Sequence, residues 1–149
     1  MTEKPLETRD RYPHFMPLQT RWSDNDIYGH VNNVTYYSYF DTVVNCYLID
    51  EGGLDIQSAD VIGVVVETMC NFRESIAYPE SLEAGLRVTK LGNSSVRFEI
   101  GIFRQGEAEA SAAGHFIHVF VDRSTNKPVP TPDEIRSALE RLVVPAGEA

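Results

Sequence analysis

The spacing of apolar residues changes along the chain, and each change marks a new predicted element. Apolar and polar residues alternate from Phe15 to Trp22, which is typical of a β-strand. From Val34 to Asp50 the apolar residues instead recur every three or four positions, so they fall on one side of a helix. This stripe consists of Tyr36, Tyr37, Phe40, Val43, Val44, Tyr47 and Leu48, widened by Tyr39 and Cys46. We therefore expect most of this helix to be buried.

Both ends of this helix carry typical boundary residues. Asn32 or Asn33 can cap its N-terminus, because an Asn side chain accepts a hydrogen bond from a free amide of the first turn. Gly52 and Gly53 favour termination, since glycine adopts the left-handed conformation that follows many helices. The loop before residue 33 is thus predicted to lie at the positive end of a buried helix.

Alternation with a period of two returns after residue 60 and predicts a sheet. The predicted strands are 61–76, 82–89, 96–102 and 108–121, joined by turns at 78–80, 91–94 and 105–107. Turns this short connect antiparallel neighbours. Together with the first strand and the helix, this order predicts one α+β domain over residues 1–149, in which the helix lies across the concave face of an antiparallel sheet.

The two ends of the chain are predicted to be peripheral. Residues 1–14 are expected to form a loose tail. Thr131, Pro132 and Glu134 fit a capping box at the start of a short surface helix. Its modest apolar stripe consists of Ile135, Leu139 and Leu142.

Composition limits the classes of function. The chain has 149 residues and a formal charge of −9, from 22 acidic and 13 basic residues, which argues against a nucleic-acid partner. No apolar run approaches the roughly 18 residues of a membrane span, and no signal peptide is seen, so we expect a cytoplasmic protein without a membrane partner. Cys46 and Cys70 lie in apolar segments and are interpreted as reduced core residues.

Groups that could do chemistry are concentrated in the loop before the long helix. Asp24, Asp26, His30, Asn32 and Asn33 fall within ten residues. Free amides at a helix N-terminus can hold a carbonyl oxygen that develops negative charge, while a nearby carboxylate attacks the carbonyl or deprotonates a water. A thioester suits this pairing. The alternative is that such an Asp only caps or solvates a turn.

Other familiar sites are not indicated. The sequence contains no nucleophile elbow, phosphate-binding loop or dinucleotide-binding motif. A calcium loop starting at Asp24 would place Tyr28 and Thr35 at its fifth and twelfth positions, where the loop needs oxygen ligands and a bidentate Glu. The four histidines lack metal-site spacing, so we expect neither a metal nor a cofactor.

The motif Asp-x-Asp-x-x-Gly-His-Val-Asn-Asn-x-x-Tyr over residues 24–36, followed by Tyr39 and Phe40, resembles the signature of the hotdog-fold acyl-CoA thioesterases of the 4-hydroxybenzoyl-CoA thioesterase family. The strand order fits that family from Phe15 to Asp122. The resemblance implies a curled antiparallel sheet of five to six strands wrapped around one long central helix, with a short C-terminal helix. It also implies an acyl-CoA substrate and a homodimer or homotetramer with active sites at the subunit interface.

The resemblance also assigns roles to residues of the loop. Asp26 takes the position of the catalytic carboxylate, acting as general base or as nucleophile. The amides from Gly29 to Asn33 take the position that polarises the thioester carbonyl, and the Asn33 side chain is a candidate helper. His30 is grouped with Asp26 and Asn33 as a catalytic candidate, although His30 and Asn32 are expected mainly to fix the loop. Asp24 is expected to have a structural role.

Further residues are candidates for contact with the substrate. The candidates for contact with the acyl group and its carbonyl are Gly29, Val31, Asn32, Tyr36 and Thr68, with Tyr37, Val66 and Met69 in addition. The phosphates of the coenzyme could meet Arg73, Arg87, Lys90, Arg123 or Lys127.

Two alternative functions remain open from the sequence. An acyl-thioester hydratase or dehydratase on the same fold pairs an Asp with a later His, as Asp26 and His30 could, but the Asn-Pro element expected between them is missing. A non-catalytic acyl-CoA-binding module would not need the carboxylate of Asp26. Hydration of an enoyl thioester without thiol release would separate the first alternative from hydrolysis.

Overall fold

The computed structural model describes residues 7–145, which form one antiparallel sheet and two helices. The strands are β1 (His14–Gln19), β2 (Val61–Phe72), β3 (Ser81–Leu91), β4 (Ser95–Arg104) and β5 (Ala112–Asp122). The helices are α1 (Asn33–Asp50), between β1 and β2, and α2 (Asp133–Glu140), after β5. Short 3₁₀ turns at Arg9–Arg11 and Trp22–Asp24 precede β1 and α1.

Helix α1 connects the two edges of the sheet. The strand order is β1-β3-β4-β5-β2, and every neighbouring pair is antiparallel. The chain must therefore cross the whole sheet between β1 and β2, and α1 makes that crossing. We call the side of the sheet that packs against α1 the inner face, and the opposite side the outer face.

The inner face and α1 form the main hydrophobic core, as the apolar stripe predicted. The buried residues of α1 are Tyr36, Tyr39, Phe40, Val43, Val44, Tyr47 and Leu48. Phe40 is fully buried and lies edge-on to Phe116 of β5, with ring centroids 6.0 Å apart. The expected curled antiparallel sheet of five to six strands around one long central helix is confirmed, with five strands in the described residues.

The segment before β1 packs on the outer face, which corrects one prediction. Residues 1–6 lie outside the described range, but residues 7–14 are not a loose tail: Tyr12 is buried against Phe103. The Arg87 guanidinium on β3 is held there by the carboxylates of Glu7 and Glu99, at 3.2 and 2.7 Å. A buried arginine requires such partners, so this segment is part of the folded domain.

Strand β2 is an edge strand with a bulge. Its pairing with β5 shifts between Val65 and Glu67, so Val65 lies opposite His118 and Thr68 lies opposite Phe116. Simple alternation with a period of two would place Val65 and Thr68 on different faces, because such a pattern cannot show the extra residue of a bulge. Further along this pair, Gly114 lies so close to the Met69 carbonyl that any side-chain carbon would overlap it.

Several predicted boundaries were too long. Strand β1 ends at Gln19 rather than Trp22, and β2 ends at Phe72 rather than at residue 76. Strand β5 begins at Ala112 rather than at residue 108, because the amide of Ala110 donates to the carbonyl of Glu7 in the N-terminal segment instead.

The predicted capping box of the last helix is wrong. Pro132 occupies the N-cap position of α2, and no side chain caps the helix. The hydroxyl oxygen of Thr131 is buried with no hydrogen-bond partner among the described residues. The apolar stripe of α2 is nevertheless buried, as Ile135 and Leu139 show. Within residues 7–145, neither helix is long and apolar enough to cross a membrane.

Candidate active site

Asp24 fastens the loop before α1 to the helix. Its carboxylate is 1% exposed and accepts hydrogen bonds from the Tyr39 hydroxyl at 2.7 Å and from the backbone amide of Arg21 at 2.8 Å. The Arg21 guanidinium donates to the other oxygen at 3.0 Å. Burial acts to raise the pKa of Asp24, but these bonds outweigh it and hold the pKa below its usual range. Asp24 is thus an anchored anion with a structural role.

Asp26 lies two residues later in a tight turn. Its amide donates to the His30 carbonyl at 2.9 Å, and the Gly29 amide donates to the Asp26 carbonyl at 3.1 Å. Gly29 has a φ of 89°, a conformation that favours glycine. The Oδ1 atom of Asp26 accepts from the Tyr28 amide at 2.9 Å, whereas Oδ2 accepts no hydrogen bond from residues 7–145. This second oxygen is therefore available for chemistry.

His30 lies beside that oxygen without bonding to it. The distance from His30 Nδ1 to Asp26 Oδ2 is 3.7 Å, longer than a hydrogen bond, and the imidazole is 40% exposed. The ring of Tyr28 is stacked near it, with centroids 6.3 Å apart. The structure thus brings Asp26 and His30 together, as the motif implied.

Most amides near the start of α1 are already bonded. Those of Val31 and Asn32 donate to the carbonyls of Ile76 and Asp24, at 2.7 and 2.9 Å. The Asn32 side chain caps the helix by accepting from the Val34 amide at 3.0 Å. Among the described residues, the amide of Asn33 donates to no acceptor. Within residues 29–33, the backbone amides of His30 and Asn33 are therefore the free hydrogen-bond donors.

The other predicted contact residues are more scattered. Val31 and Tyr36 are each 2% exposed, and Phe72 covers the ring of Tyr36 with a centroid distance of 4.9 Å. Burial raises the pKa of Tyr36 to about 12, so its hydroxyl stays neutral. Thr68 lies on β2 opposite Phe116, which contacts Phe40 of α1. Phe40 is two helical turns from Asn33, so Thr68 does not lie beside the loop. Its hydroxyl donates to the His115 carbonyl at 3.0 Å.

The loop also carries large apolar side chains that sequence reasoning did not single out. Trp22, Ile27, Tyr28 and Val34 are 82%, 94%, 81% and 72% exposed. A periodic pattern shows which residues are apolar but not which of them the fold leaves uncovered. Exposed apolar groups concentrated around one site are typical of a surface that another molecule covers.

A cavity of about 540 Å³ lies away from this loop, on the outer face of the sheet. Arg87, Arg97, Glu99 and His115 contribute to its lining, but neither Asp26 nor Asn33 does. Arg97 donates to Glu99 at 3.0 Å and contacts His115 Nδ1 at 3.2 Å, so the charges there are paired with one another. The cavity is a feature separate from the loop.

Metal ligation and thiol chemistry find little support in the described part of the chain. No group of three or more His, Cys, Asp or Glu side chains within residues 7–145 is arranged to hold a metal ion. Burial raises the pKa of the Cys70 thiol to about 12, so it stays protonated at neutral pH and is a poor nucleophile.

Comparison with known proteins supports the same reading of the fold. The PA5185 protein of Pseudomonas aeruginosa strain PAO1, a crystal structure, is 56% identical, with a TM-score of 0.92 over 93% of this chain and 97% of that one. Protein YsmA of Bacillus subtilis strain 168 is 25% identical over 133 residues, 89% of each chain.

A more distant structure shares the fold. Slr0204 of Synechocystis, named a 1,4-dihydroxy-2-naphthoyl-CoA thioesterase, is 18% identical with a TM-score of 0.76, over 84% of this chain and 93% of that one. A family model described as the thioesterase-like superfamily matches residues 20–139. The chain therefore belongs to the thioesterase-like superfamily and has the hotdog fold.

Proposed function

We propose that this protein hydrolyses an acyl-CoA thioester to a free acid and CoA at the junction of the Asp26 loop and α1. One observation carries the proposal. The unbonded Oδ2 of Asp26 lies in the loop that leads into a buried helix whose first amide, that of Asn33, is also unbonded. A carboxylate and a free N–H together are what attack on a carbonyl requires.

The carbonyl oxygen of the thioester would accept a hydrogen bond from the Asn33 N–H. Negative charge develops on this oxygen as the carbonyl carbon becomes tetrahedral, and the positive end of α1 stabilises it. One such donor typically contributes about 10²- to 10³-fold to the rate. The cap formed by Asn32 fixes the backbone of this first turn, so the donor is held in place before substrate binds.

Asp26 would supply the other half of the reaction. As a general base, its Oδ2 takes a proton from water while the water oxygen bonds to the carbonyl carbon. The carbon–sulfur bond then breaks, the thiolate of CoA leaves and takes up a proton, and the acid is released. As a nucleophile, Oδ2 would instead form an anhydride that water opens. His30, within 3.7 Å, would orient the carboxylate in either route.

The remaining candidate residues would shape the site around these groups. Gly29 allows the tight turn, while Val31 and Asn32 hold the loop and helix start together through their amides. Tyr36 and Thr68, with the Asn33 side chain, are proposed to line the path of the acyl group. The name of Slr0204 refers to a CoA thioester, which supports this class of substrate.

We also propose that the active form is a homodimer, which could pair again into a homotetramer. Two surfaces support a second copy as the covering molecule: the apolar side chains of the Asp26 loop, and the exposed edge strand β2, where Val65, Val66 and Met69 are 43%, 58% and 37% exposed. An edge strand presents unpaired N–H and C=O groups that another strand can bond. Pairing at this edge would place each active site at the subunit interface.

The central test is thiol release by wild type and by Asp26→Asn from a panel of acyl- and aroyl-CoA thioesters. The amide can neither accept the proton nor attack, so kcat/KM should fall by about 10²- to 10⁴-fold while the fold is retained. Asp50→Asn is the matched control, because it removes the same charge from the exposed far end of α1. This control should keep wild-type turnover.

The panel also distinguishes the alternatives. Equal thiol release by wild type and Asp26→Asn would place the chemistry elsewhere. Hydration of an enoyl thioester without thiol release would indicate a hydratase, and CoA ester binding without any turnover would indicate a binding module.

A further inference from the structure

His118 on β5 is a buried imidazole without a partner. It is 2% exposed, and neither ring nitrogen has a hydrogen-bond partner within residues 7–145. Buried polar groups in native proteins almost always have partners, and an exception points to a bound water or ligand that supplies the missing bond. Asp24 and Arg87, by contrast, are buried with every charge satisfied.

The imidazole faces the space between the sheet and α1, near the exposed edge of the fold. Phe98 and Phe116 flank it, each with a ring centroid 5.3 Å from its own. Gly63 of β2 lies beneath it, and a side-chain carbon there would come within 2.9 Å of His118 Nδ1. Strand β2 thus has no side chain at the point where it passes this nitrogen, and Val65, opposite His118, is 43% exposed.

The inner face leads from the candidate catalytic groups to His118. Along α1, Tyr36 contacts Phe72 and Phe40 contacts Phe116, and His118 follows two residues further on β5. Seven residues of helix from Asn33 to Phe40 rise about 10 Å, and two residues of strand add about 7 Å. Of the inner-facing side chains of β2 along this path, Val65, Thr68 and Phe72 are exposed and Cys70 is half-buried. An extended acyl chain whose thioester carbonyl accepts a hydrogen bond from the Asn33 amide could lie along this edge and end near His118.

We propose that His118 is a specificity-determining residue that hydrogen-bonds a neutral oxygen, a hydroxyl or keto group, near the far end of the acyl chain. The inference rests on the proposed thioester hydrolysis at Asp26, and it names the class of acyl group that the site prefers. The aromatic rings beside His118 accommodate the apolar chain, and the imidazole supplies the one polar contact.

The protonation state of His118 explains why the oxygen is neutral. Burial lowers the pKa of His118 to about 4, so the ring is uncharged at neutral pH and has one N–H donor and one acceptor nitrogen. A hydroxyl group can use either nitrogen, and a keto oxygen can use the donor. A carboxylate at the same place would lack the positive charge needed to offset its burial.

The test compares saturated acyl-CoA thioesters of increasing chain length with the same chains bearing a hydroxyl on the terminal carbon. In wild type, the ratio of kcat/KM for the hydroxylated over the plain thioester should rise to about tenfold at the length that reaches His118, as expected for one neutral hydrogen bond. In His118→Phe the ratio should fall to one or below. His115→Gln, on the same strand but facing outward, should keep the wild-type ratio.

Binding provides a readout that does not depend on turnover. The same pairs can be titrated by calorimetry onto Asp26→Asn and onto the double variant Asp26→Asn/His118→Phe. A hydroxyl preference that disappears with His118 supports the inference, whereas equal ratios in the two proteins overturn it, even if no thioester is hydrolysed. If wild type hydrolyses plain thioesters but shows no hydroxyl preference at any length, the proposed function stands and this inference is wrong. If His118→Phe has a folding defect, His118→Asn, which keeps a hydrogen-bonding group, serves as the second variant.

Discussion

At the scale of single residues, the buried polar groups of this chain divide by whether the fold satisfies them. The carboxylate of Glu99 is bonded by Arg87 and Arg97; burial acts to raise its pKa, but these bonds hold the pKa below its usual value. The imidazole of His118 has no such bonds from the described residues, and burial lowers its pKa to about 4. The Glu99 carboxylate therefore stabilises the fold when it is charged, whereas the fold is stable only with the His118 imidazole neutral.

This difference predicts a pH dependence of stability. Unfolding returns the pKa of His118 to about 6.5, so between pH 6.5 and 4 the unfolded chain binds more protons than the folded one. The free energy of unfolding should therefore fall as the pH falls through this window, with a contribution from His118 on the order of 3 kcal/mol. Urea denaturation of wild type at a series of pH values measures the slope.

His118→Phe isolates that contribution, because it removes the titrating group and leaves the carboxylates unchanged. The variant should lose less stability than wild type between pH 6.5 and 4, and at neutral pH it should be at least as stable, since two unpartnered nitrogens have been removed. Parallel stability curves for the two proteins would show that His118 is not held neutral by burial.

At the scale of elements, α1 serves both the core and the site. Its apolar side fills the inner face, while its first turn presents the unbonded Asn33 amide. The cap formed by Asn32 connects these roles, since its side chain fixes the amide of Val34 one residue beyond the proposed donor. A change at the cap should therefore affect stability and turnover together.

Asn32→Ala should reduce the free energy of unfolding by about 1 kcal/mol, the usual effect of losing a cap. It should also lower kcat more than it raises KM, because the Asn33 donor acts on the charge that develops in the transition state. Asn32→Ser, which can still cap, should restore most of both properties. Denaturant melts and steady-state thiol release check the two parts. A stability loss with unchanged kcat would separate the cap from catalysis.

At the scale of the whole molecule, the unusual feature is how much apolar surface remains uncovered along one edge. Val66 lies at the bulge of β2 and is 58% exposed, and Phe72 at the end of the same strand is 47% exposed. The Asp26 loop adds Ile27, which is 94% exposed. A second copy of the chain paired along this edge would bury these groups and close the sides of the proposed active site.

Val66→Arg tests this assembly, because a long charged side chain on an edge strand opposes pairing. Sedimentation equilibrium should give at least twice the chain mass for wild type and a shift toward the single-chain mass for the variant. Thiol release should fall in parallel. Thr125→Arg adds the same charge on an exposed turn beyond β5 and should alter neither property. A wild-type protein of single-chain mass that is fully active would contradict the proposed dimer.

The sequence predicted features that depend on periodic burial and missed those that depend on local geometry. The buried side of α1 follows from apolar spacing, and Asn32 acts as the predicted cap. The bulge at Val65 could not be seen, because one inserted residue leaves the composition of β2 unchanged. The sequence could not single out His118, since nothing in the pattern Phe-x-His-x-Phe shows that its neighbours offer no hydrogen bond.

The candidate site follows the same division. The motif puts Asp26 and His30 in the loop before the helix, and in the structure His30 Nδ1 lies 3.7 Å from Asp26 Oδ2. It could not show which amides remain free, because those of Val31 and Asn32 are taken by carbonyls that only the folded loop brings near. The capping interpretation of Thr131 was wrong because Pro132 itself occupies the N-cap position.

The close approach of Gly114 to the Met69 carbonyl limits how this protein can be re-engineered. Every replacement of glycine by another amino acid introduces a side-chain carbon, and here that carbon must push β2 away from β5. Saturation libraries aimed at new acyl preferences can vary Thr68 on β2, but clones altered at Gly114 should be lost before any selection for substrate. A position proposed to set the acyl preference thus lies close to a glycine of the neighbouring strand that must stay fixed.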